Sequence, residues 1–313
     1  MIFSVIITAY NREDYIRKAI DSVLSQTFSD YELIVVDDGS TDRTQEIVMS
    51  YGGKVRYIWQ ENQGSEMAYK TGVSNATGEY MAFLDSDDYF LPNALITYNR
   101  IIKALDSPPI IIGAMQRFSS DEEVVIDAGG MDEDIVVYTY RDYLSKDIAI
   151  GLAQSRIVMK KTLFEQAQQG TGAPRARNMN DYRLILRAGI YGPCVIATRP
   201  VTLAYRYHET QSSKNIAKMC QGVLYLIDMV RHGQRNGEQS RLFDRYAYLG
   251  GIVNEWIKKA YRNQLRGLAL KILAKGWPMV IAALMKKIML SFQRPAVPQI
   301  IANGKTEIAS CSS

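Results

Sequence analysis

A chain of 313 residues with 47% apolar side chains and a net charge of +4 can hold one large domain or two small ones, with ample material for a core. Three cysteines, Cys194, Cys220 and Cys311, show no paired spacing, which excludes a disulfide framework and a zinc site and fits a reducing, cytoplasmic setting. The charge is uneven: residues 214–313 carry 16 Lys/Arg against 5 Asp/Glu, so the front is net acidic and the tail strongly basic, an asymmetry that suggests two tasks.

The first residues lack a basic n-region and a small-residue cleavage site, so Phe3–Thr8 is expected as a strand and not as a leader. Asn11 is expected to cap a helix carrying Ile16, Ala19, Ile20, Val23 and Leu24 at helical spacing, with Asp14 in its first turn. Tyr31–Val36 reads as the second strand, Thr44–Tyr51 as a helix, Val55–Trp59 as the third strand, Ser65–Ala76 as a helix stopped by Gly78, and Tyr80–Leu84 as the fourth strand. This alternation predicts a parallel sheet with right-handed crossovers. Ile110–Met115 continues the sheet, and Asp121–Asp134, with its Gly129-Gly130 pair, reads as an acidic excursion or lid. A strand at Arg156–Met159, a helix at Thr162–Gln168, a Gly/Pro/Asn-rich loop at Gln169–Asn180, a helix at Asp181–Ala188 and a strand at Val201–Tyr207 follow.

From Asn215 the pattern is helical, in segments near 215–231, 239–261, 262–275 and 277–293, with the last dozen residues frayed. Lys and Gly interrupt the apolar runs before the ~20 residues that a bilayer span takes. Basic and apolar faces together suit an anionic membrane surface, met through residues 253–294. A helix packed on the body of the protein fits the same pattern.

The chemistry gathers after Tyr80–Leu84, where Asp85, Asp87 and Asp88 follow within four residues. Ligand sites in open α/β sheets lie beyond the carboxyl ends of the strands. Three like charges there are costly unless a cation or donors sit among them, and oxygen donors suit Mg²⁺ or Mn²⁺. A polar loop whose aspartates cap the helix near Pro92 is the plainer alternative. The first strand ends in Thr8-Ala9-Tyr10-Asn11-Arg12, without the glycine that a dinucleotide-binding turn needs. Tyr10 suits stacking on a base, and Asp38 suits accepting from a base N–H or a ribose hydroxyl. Turn chemistry is the alternative for one of Asp37 and Asp38. His232 reads as a helix C-terminal residue favoured by the dipole.

Ser4–Asn11, Val35–Asp42, Asn62-Gln63-Gly64 and Ala76–Asp88 stand in an order and spacing that resembles the nucleotide-sugar half of the family-two inverting glycosyltransferases. The resemblance is specific over residues 1–92 and looser to about 213. It implies the GT-A fold, an α/β class with a mostly parallel nucleotide-binding sheet flanked by helices and followed by a helical C-terminal extension. The catalytic domain would be 1–213, with 1–92 the nucleotide-sugar half and 93–213 the acceptor half, and 214–313 a basic helical region. By the same resemblance Thr8, Ala9, Tyr10 and Asp38 hold the nucleoside, Asp85 touches the ribose, and Asp85 and Asp87 hold Mg²⁺ or Mn²⁺ on the diphosphate. Asp181, in Asn180-Asp181-Tyr182-Arg183, stands where the family has its catalytic base, and His208 stands where a histidine reaches the metal or diphosphate.

Two departures are visible. Ala68-Tyr69-Lys70 replaces the family's Ala-Arg-Asn, which leaves either Lys70 to serve the nucleotide as a point charge or a base pocket of different make. The loop before the base is replaced by Gln169–Asn178, whose Arg175 and Arg177 fit a solvated loop first and would also suit a phosphate-bearing acceptor.

The expected activity is sugar transfer from a nucleoside-diphosphate sugar, a UDP-sugar first, to a saccharide or lipid-linked acceptor hydroxyl in cell-surface polysaccharide or glycoconjugate synthesis. The expected setting is the cytoplasm, peripheral on the inner face of the membrane, with homo-oligomers and no nucleic-acid partner. A sugar-phosphate nucleotidyltransferase would want a Gly-rich, Lys/Arg-bearing phosphate loop after the first strand, where only Arg12 is offered. A non-catalytic nucleotide-sugar-binding or membrane-anchored partner protein would be expected to lose the acidic cluster or the base.

Overall fold

The structure, a computed structural model, describes residues 1–119, 133–169, 178–208, 211–232, 241–302 and 305–308. The acidic excursion expected at Asp121–Asp134 lies outside them except for its last two residues, as do Arg175 and Arg177.

The chain opens as β1 (Phe3–Ala9), α1 (Ile16–Leu24), β2 (Tyr31–Asp37), α2 (Thr44–Met49), β3 (Arg56–Trp59), α3 (Ser65–Asn75) and β4 (Tyr80–Asp85). These strands pair in parallel in the order β4-β1-β2-β3, as the alternation predicts. Every residue of β1 is buried, because helices cover both faces of the sheet. Phe3, Val5 and Ile7 point into one core with α1, while Ile6 points into the other with Ala68, Tyr69 and Val73 of α3, the two-residue alternation of a strand.

The next part runs β5 (Tyr89–Phe90), α4 (Ala94–Ala104), β6 (Ile110–Phe118), β7 (Ile135–Tyr140), β8 (Ile157–Lys160), α5 (Lys161–Gln168), α6 (Asn180–Ala188) and β9 (Cys194–Arg206). Parallel pairing gives way here to a mixed pattern. β8 runs antiparallel between β4 and β6, β9 runs parallel to β6, and β7 runs antiparallel to β9. Two elements differ from expectation. β9 begins at Cys194 and not at Val201, since it continues through Thr198-Arg199-Pro200 by shifting register against β6 and β7. The other, β7, lies just past the acidic excursion, on residues whose pattern predicts no element. Its six residues alternate only weakly, yet Ile135 and Val137 are fully buried once β9 lies beside them.

Among the described residues three helices and a strand pair follow: α7 (Ile216–Arg231), α8 (Leu242–Arg262), α9 (Arg266–Ser291), β10 (Gln299–Ala302) and β11 (Lys305–Ile308). Where two helices were expected at 262–275 and 277–293, α9 is one helix of 26 residues with Pro278 inside it. Proline removes a helical hydrogen bond, but tertiary packing of the neighbouring turn outweighs that loss. Gly276 is buried against Val253 and Ile227, and α8 crosses so closely that a Cβ on Gly250 would lie 1.9 Å from the Met279 carbonyl oxygen. Gly250→Ala is therefore expected to destabilise the fold by about 3 kcal/mol, read as a lower denaturant midpoint.

The expectation that Lys and Gly cut the apolar run short is also corrected. By length and composition alone α9, at 26 residues, could cross a bilayer, and 28% of its most apolar stretch is buried in the protein. Nor is the end simply frayed. β10 pairs antiparallel with β7 and with β11, so the sheet order is β11-β10-β7-β9-β6-β8-β4-β1-β2-β3, with β5 on β9. Residues 309–313 lie outside the described residues.

Candidate active site

The carboxyl ends of β1, β2 and β4 open into a cleft of about 800 Å³, where an open α/β sheet places its ligands. The loops after β1 and β2 are laced together. Asn11, expected as a helix cap, instead adopts φ 52° and accepts from the Thr41 N–H at 2.8 Å. The Arg12 N–H donates to Thr44 Oγ1 at 2.8 Å, and Asp42 accepts from the Glu13 N–H at 3.1 Å and the Thr44 N–H at 3.0 Å. With both loops fixed, Thr8, Ala9, Tyr10 and Asp38 line the cleft together, and the Tyr10 side chain is exposed to it.

The two acids after β2 divide the work. Asp37 is fully buried and serves the turn, accepting from the Ser40 N–H and the Tyr57 hydroxyl at 2.8 Å each. Asp38 accepts from Gln60 Nε2 at 2.7 Å, the Gln63 N–H at 2.9 Å and the Gly64 N–H at 2.7 Å. It therefore braces the loop leading into α3 and, since a carboxylate has about four acceptor sites, keeps capacity for one further donor.

The acids after β4 are each held differently. Asp85 accepts from the Tyr69 hydroxyl at 2.8 Å. Burial, then the charge of Asp87, raises its carboxyl to about 6, against the pull of Tyr69, Arg12 and Ser155. Burial would raise Asp87 too, but the bond to His208 and the charge of Arg12 hold it below the usual range. His208 Nε2 lies 3.0 Å from Asp87 Oδ2, so the histidine reaches this acid directly. Asp88 faces inward, accepting from Ser155 Oγ at 2.6 Å and the Arg206 N–H at 2.9 Å, while Ser155 Oγ also accepts the Asp85 N–H at 3.0 Å. Burial, then the charges of Asp87 and Asp85, pushes Asp88 well above the usual carboxylate range. Asp88 is a brace for the other two acids, a role that only the position of Ser155 reveals.

Lys70 is not brought to the cleft. Tyr69 is the residue of that tripeptide that faces the acids, and Lys70, one position further round α3, lies among the charges of Glu66, Arg187 and Arg183. Helical phase thus sets Tyr69, and not Lys70, in the lining of the cleft.

Across the cleft, α6 carries Asp181 in its first turn, next to Met179 in a left-handed conformation at φ 64°. Asp181 lines the same cleft as Asp85 and Asp87 and accepts the Tyr182 N–H at 2.9 Å. Burial raises its carboxyl to about 7, with the Tyr182 N–H opposing and the charge of Asp85 adding. The start of α6 is pinned to the start of α3. Asn180 Nδ2 donates to Ser65 Oγ at 2.5 Å, and Glu66 pairs with Arg183 and, at 3.6 Å, with Arg187. Glu66→Gln would leave the fully buried Arg183 without its counter-charge, at an expected cost of about 3–5 kcal/mol by chemical denaturation.

The remaining wall was not legible in the sequence. Tyr205 and Tyr207 from the end of β9 and beyond, Met219 of α7, and Glu255, Trp256 and Lys259 of α8 line the cleft beside Asp181.

The residues fit a divalent cation in one specific way. Among the described residues no group of three His/Cys/Asp/Glu is poised as a ready-made ligand shell. Asp85 and Asp87, two carboxylates that repel one another, are the residues that would hold a hard cation.

Fold and site together define a GT-A type nucleotide-sugar scaffold. The Glycosyl transferase family 2 model matches residues 4–166, and the chain belongs to that family. An uncharacterized glycosyltransferase of Rickettsia typhi is 43% identical over 109 residues, 35% of this chain and 34% of that protein. The chain spans about a third, or less, of the length of the Rickettsia relatives it matches. Among solved structures, S. aureus TarS 1-349 in complex with UDP superposes with a TM-score of 0.57 at 18% identity, covering 98% of this chain and 96% of that one. The mannosyltransferase PcManGT from Pyrobaculum calidifontis, in complex with GDP-Man and Mn²⁺, gives a TM-score of 0.53 at 18% identity, covering 91% and 86%. These likenesses establish the shared fold. The family match ends within α5, so Asp181, His208 and the α8 wall lie beyond it.

Proposed function

We propose that this chain transfers a sugar from a nucleoside-diphosphate sugar, a UDP-sugar first, to an acceptor hydroxyl with inversion at the anomeric carbon. The observation that carries this reading is Asp181: its carboxyl, raised to about 7, opens onto the cleft that also holds Asp85 and Asp87. A general base works best with a pKa near the operating pH, and Asp181 takes the acceptor's proton as the hydroxyl attacks. Thr8, Ala9 and Tyr10 hold the nucleoside, and the remaining acceptor capacity of Asp38 meets a base N–H or ribose hydroxyl. Asp85 and Asp87 are the residues that would hold Mg²⁺ or Mn²⁺, which when bound neutralises charge on the leaving diphosphate. His208 orients Asp87, and Tyr69 orients Asp85. The complexes of TarS with UDP and of PcManGT with GDP-Man and Mn²⁺ support the donor class. The acceptor, a saccharide or a lipid-linked saccharide of the kind used in cell-surface polymers, enters along Tyr207, Met219 and Trp256.

The direct experiment is a panel of nucleotide-sugars with Mn²⁺ and no acceptor, together with a thermal-shift screen of nucleoside diphosphates. Slow donor hydrolysis, and a raised melting point with one nucleoside diphosphate plus metal, are expected. A melting shift with complete silence in the hydrolysis panel and with added saccharide acceptors would replace transfer by nucleotide-sugar binding alone.

A further inference from the structure

The two long faces of α9 differ sharply. One, formed by Ala269, Ile272, Gly276, Met279 and Ala282, is buried against the core of α7 and α8. The other presents Leu270, Leu273, Trp277, Ile281, Leu284 and Ile288 at three- and four-residue spacing, with Leu270 66% and Leu284 60% exposed. At roughly 100° per residue these side chains form one continuous stripe, extended by Met285, Met289 and Phe292. Exposed Lys271 and Lys287 fall on opposite flanks of the stripe, and Arg266 and Arg294 mark its two ends. Between residues 256 and 306 there are ten Lys/Arg and no Asp or Glu. So long an apolar surface in water marks an interaction site.

We propose that this stripe seats on an anionic lipid surface, with α9 lying in the plane of the interface. The charge pattern selects that occupant. A second copy of the chain would set Lys271, Lys287, Arg266 and Arg294 against a like-charged set, a costly arrangement, whereas anionic headgroups complement lysines that flank an apolar strip. Trp277, at the middle of the stripe, is a residue that favours the headgroup level.

The helix lies on the bilayer and does not cross it, because its other face is committed to the protein. Lys275 pairs with Asp228 at 2.8 Å, and Lys286 pairs with Asp244 at 2.8 Å. Crossing would tear the buried face and both ion pairs out of the body of the molecule. The same α8 that packs under α9 also walls the cleft through Glu255, Trp256 and Lys259, so one helix joins the lipid-facing surface to the acceptor side.

The test uses the full chain with vesicles of phosphatidylcholine alone and of phosphatidylcholine mixed with phosphatidylglycerol. Co-sedimentation with the mixed vesicles only, release by high salt, and a blue-shifted Trp emission that is lost in Trp277→Phe are expected. Ile281→Asp/Leu284→Asp should reduce the bound fraction about tenfold or more with an unchanged melting curve, and Lys271→Glu/Lys287→Glu should weaken binding at low salt. Equal binding to both vesicle types, no binding to either, or a dimer that alone is disrupted by Ile281→Asp/Leu284→Asp would overturn the proposal. Retention on the vesicles after alkaline carbonate would overturn it in favour of a span. All readouts are of binding, so their failure leaves the transfer reaction standing, and a silent donor panel leaves the lipid surface standing.

Discussion

Replacing Asp181 with asparagine is expected to lower turnover by about 10²–10⁴-fold, the usual range for a lost general base. Donor affinity should stay within about twofold, because Asp181 lies across the cleft from the β1 and β2 loops proposed to hold the nucleoside. The pH profile carries the sharper test. The base form is required, and burial sets the carboxyl at about 7. The wild-type rate should therefore rise about tenfold per pH unit below 7 and level off above it, whereas the residual rate of Asp181→Asn should lack that limb. Full turnover in the variant would end the base assignment.

The same group has a stability signature of opposite sense to that of a salt-bridged acid. Its folded pKa of about 7 lies above the reference value of 3.8. Between those values the folded protein binds the extra proton, so its stability falls as pH rises. Asp181→Asn should thus melt higher than wild type at pH 8, by about a few degrees, and lose that advantage near pH 4.

The second large effect is expected at Asp87. His208 and Arg12 keep this carboxylate charged, so it is the acid best prepared to hold a divalent cation beside a diphosphate. Asp87→Ala should weaken donor binding about tenfold or more and abolish the loss that EDTA causes in wild type. The comparison needs four titrations: wild type and variant, with and without EDTA. Equal affinities in all four remove the cation from the reaction. Asp88, Ser155 and Arg206 brace the loop independently of the Asp87 carboxylate, so the variant is expected to keep its fold.

The first four strands were readable because their signals are local. Short apolar runs, two of them ending in acids, mark strands whose carboxyl ends meet at one edge, and β1, β2 and β4 lie close to where those runs predict. What stayed hidden depends on contacts between distant segments. Nothing near Ser155 announces that its hydroxyl will bridge Asp85 and Asp88 from seventy residues away. Lys70 and Tyr69 could not be told apart without knowing the phase of α3 against β4. The Glu66–Arg183 pair looks in sequence like two ordinary helix-surface charges, yet it is buried where α3 meets α6. β7 and β10 carry short, weakly alternating patterns, and only pairing with each other, of β7 with β9 and of β10 with β11, makes them strands.

That last pairing has a consequence for biosynthesis. When β7 leaves the ribosome, one of its edges has no neighbour until α7, α8 and α9 have been translated and Gln299–Ala302 arrives beside it. An open strand edge is a template for pairing with another chain. Vectorial folding of this molecule thus has a vulnerable interval, bounded by two strands far apart in time but adjacent in space. A nascent chain released within that interval would display the edge that its own C-terminal hairpin is made to cover.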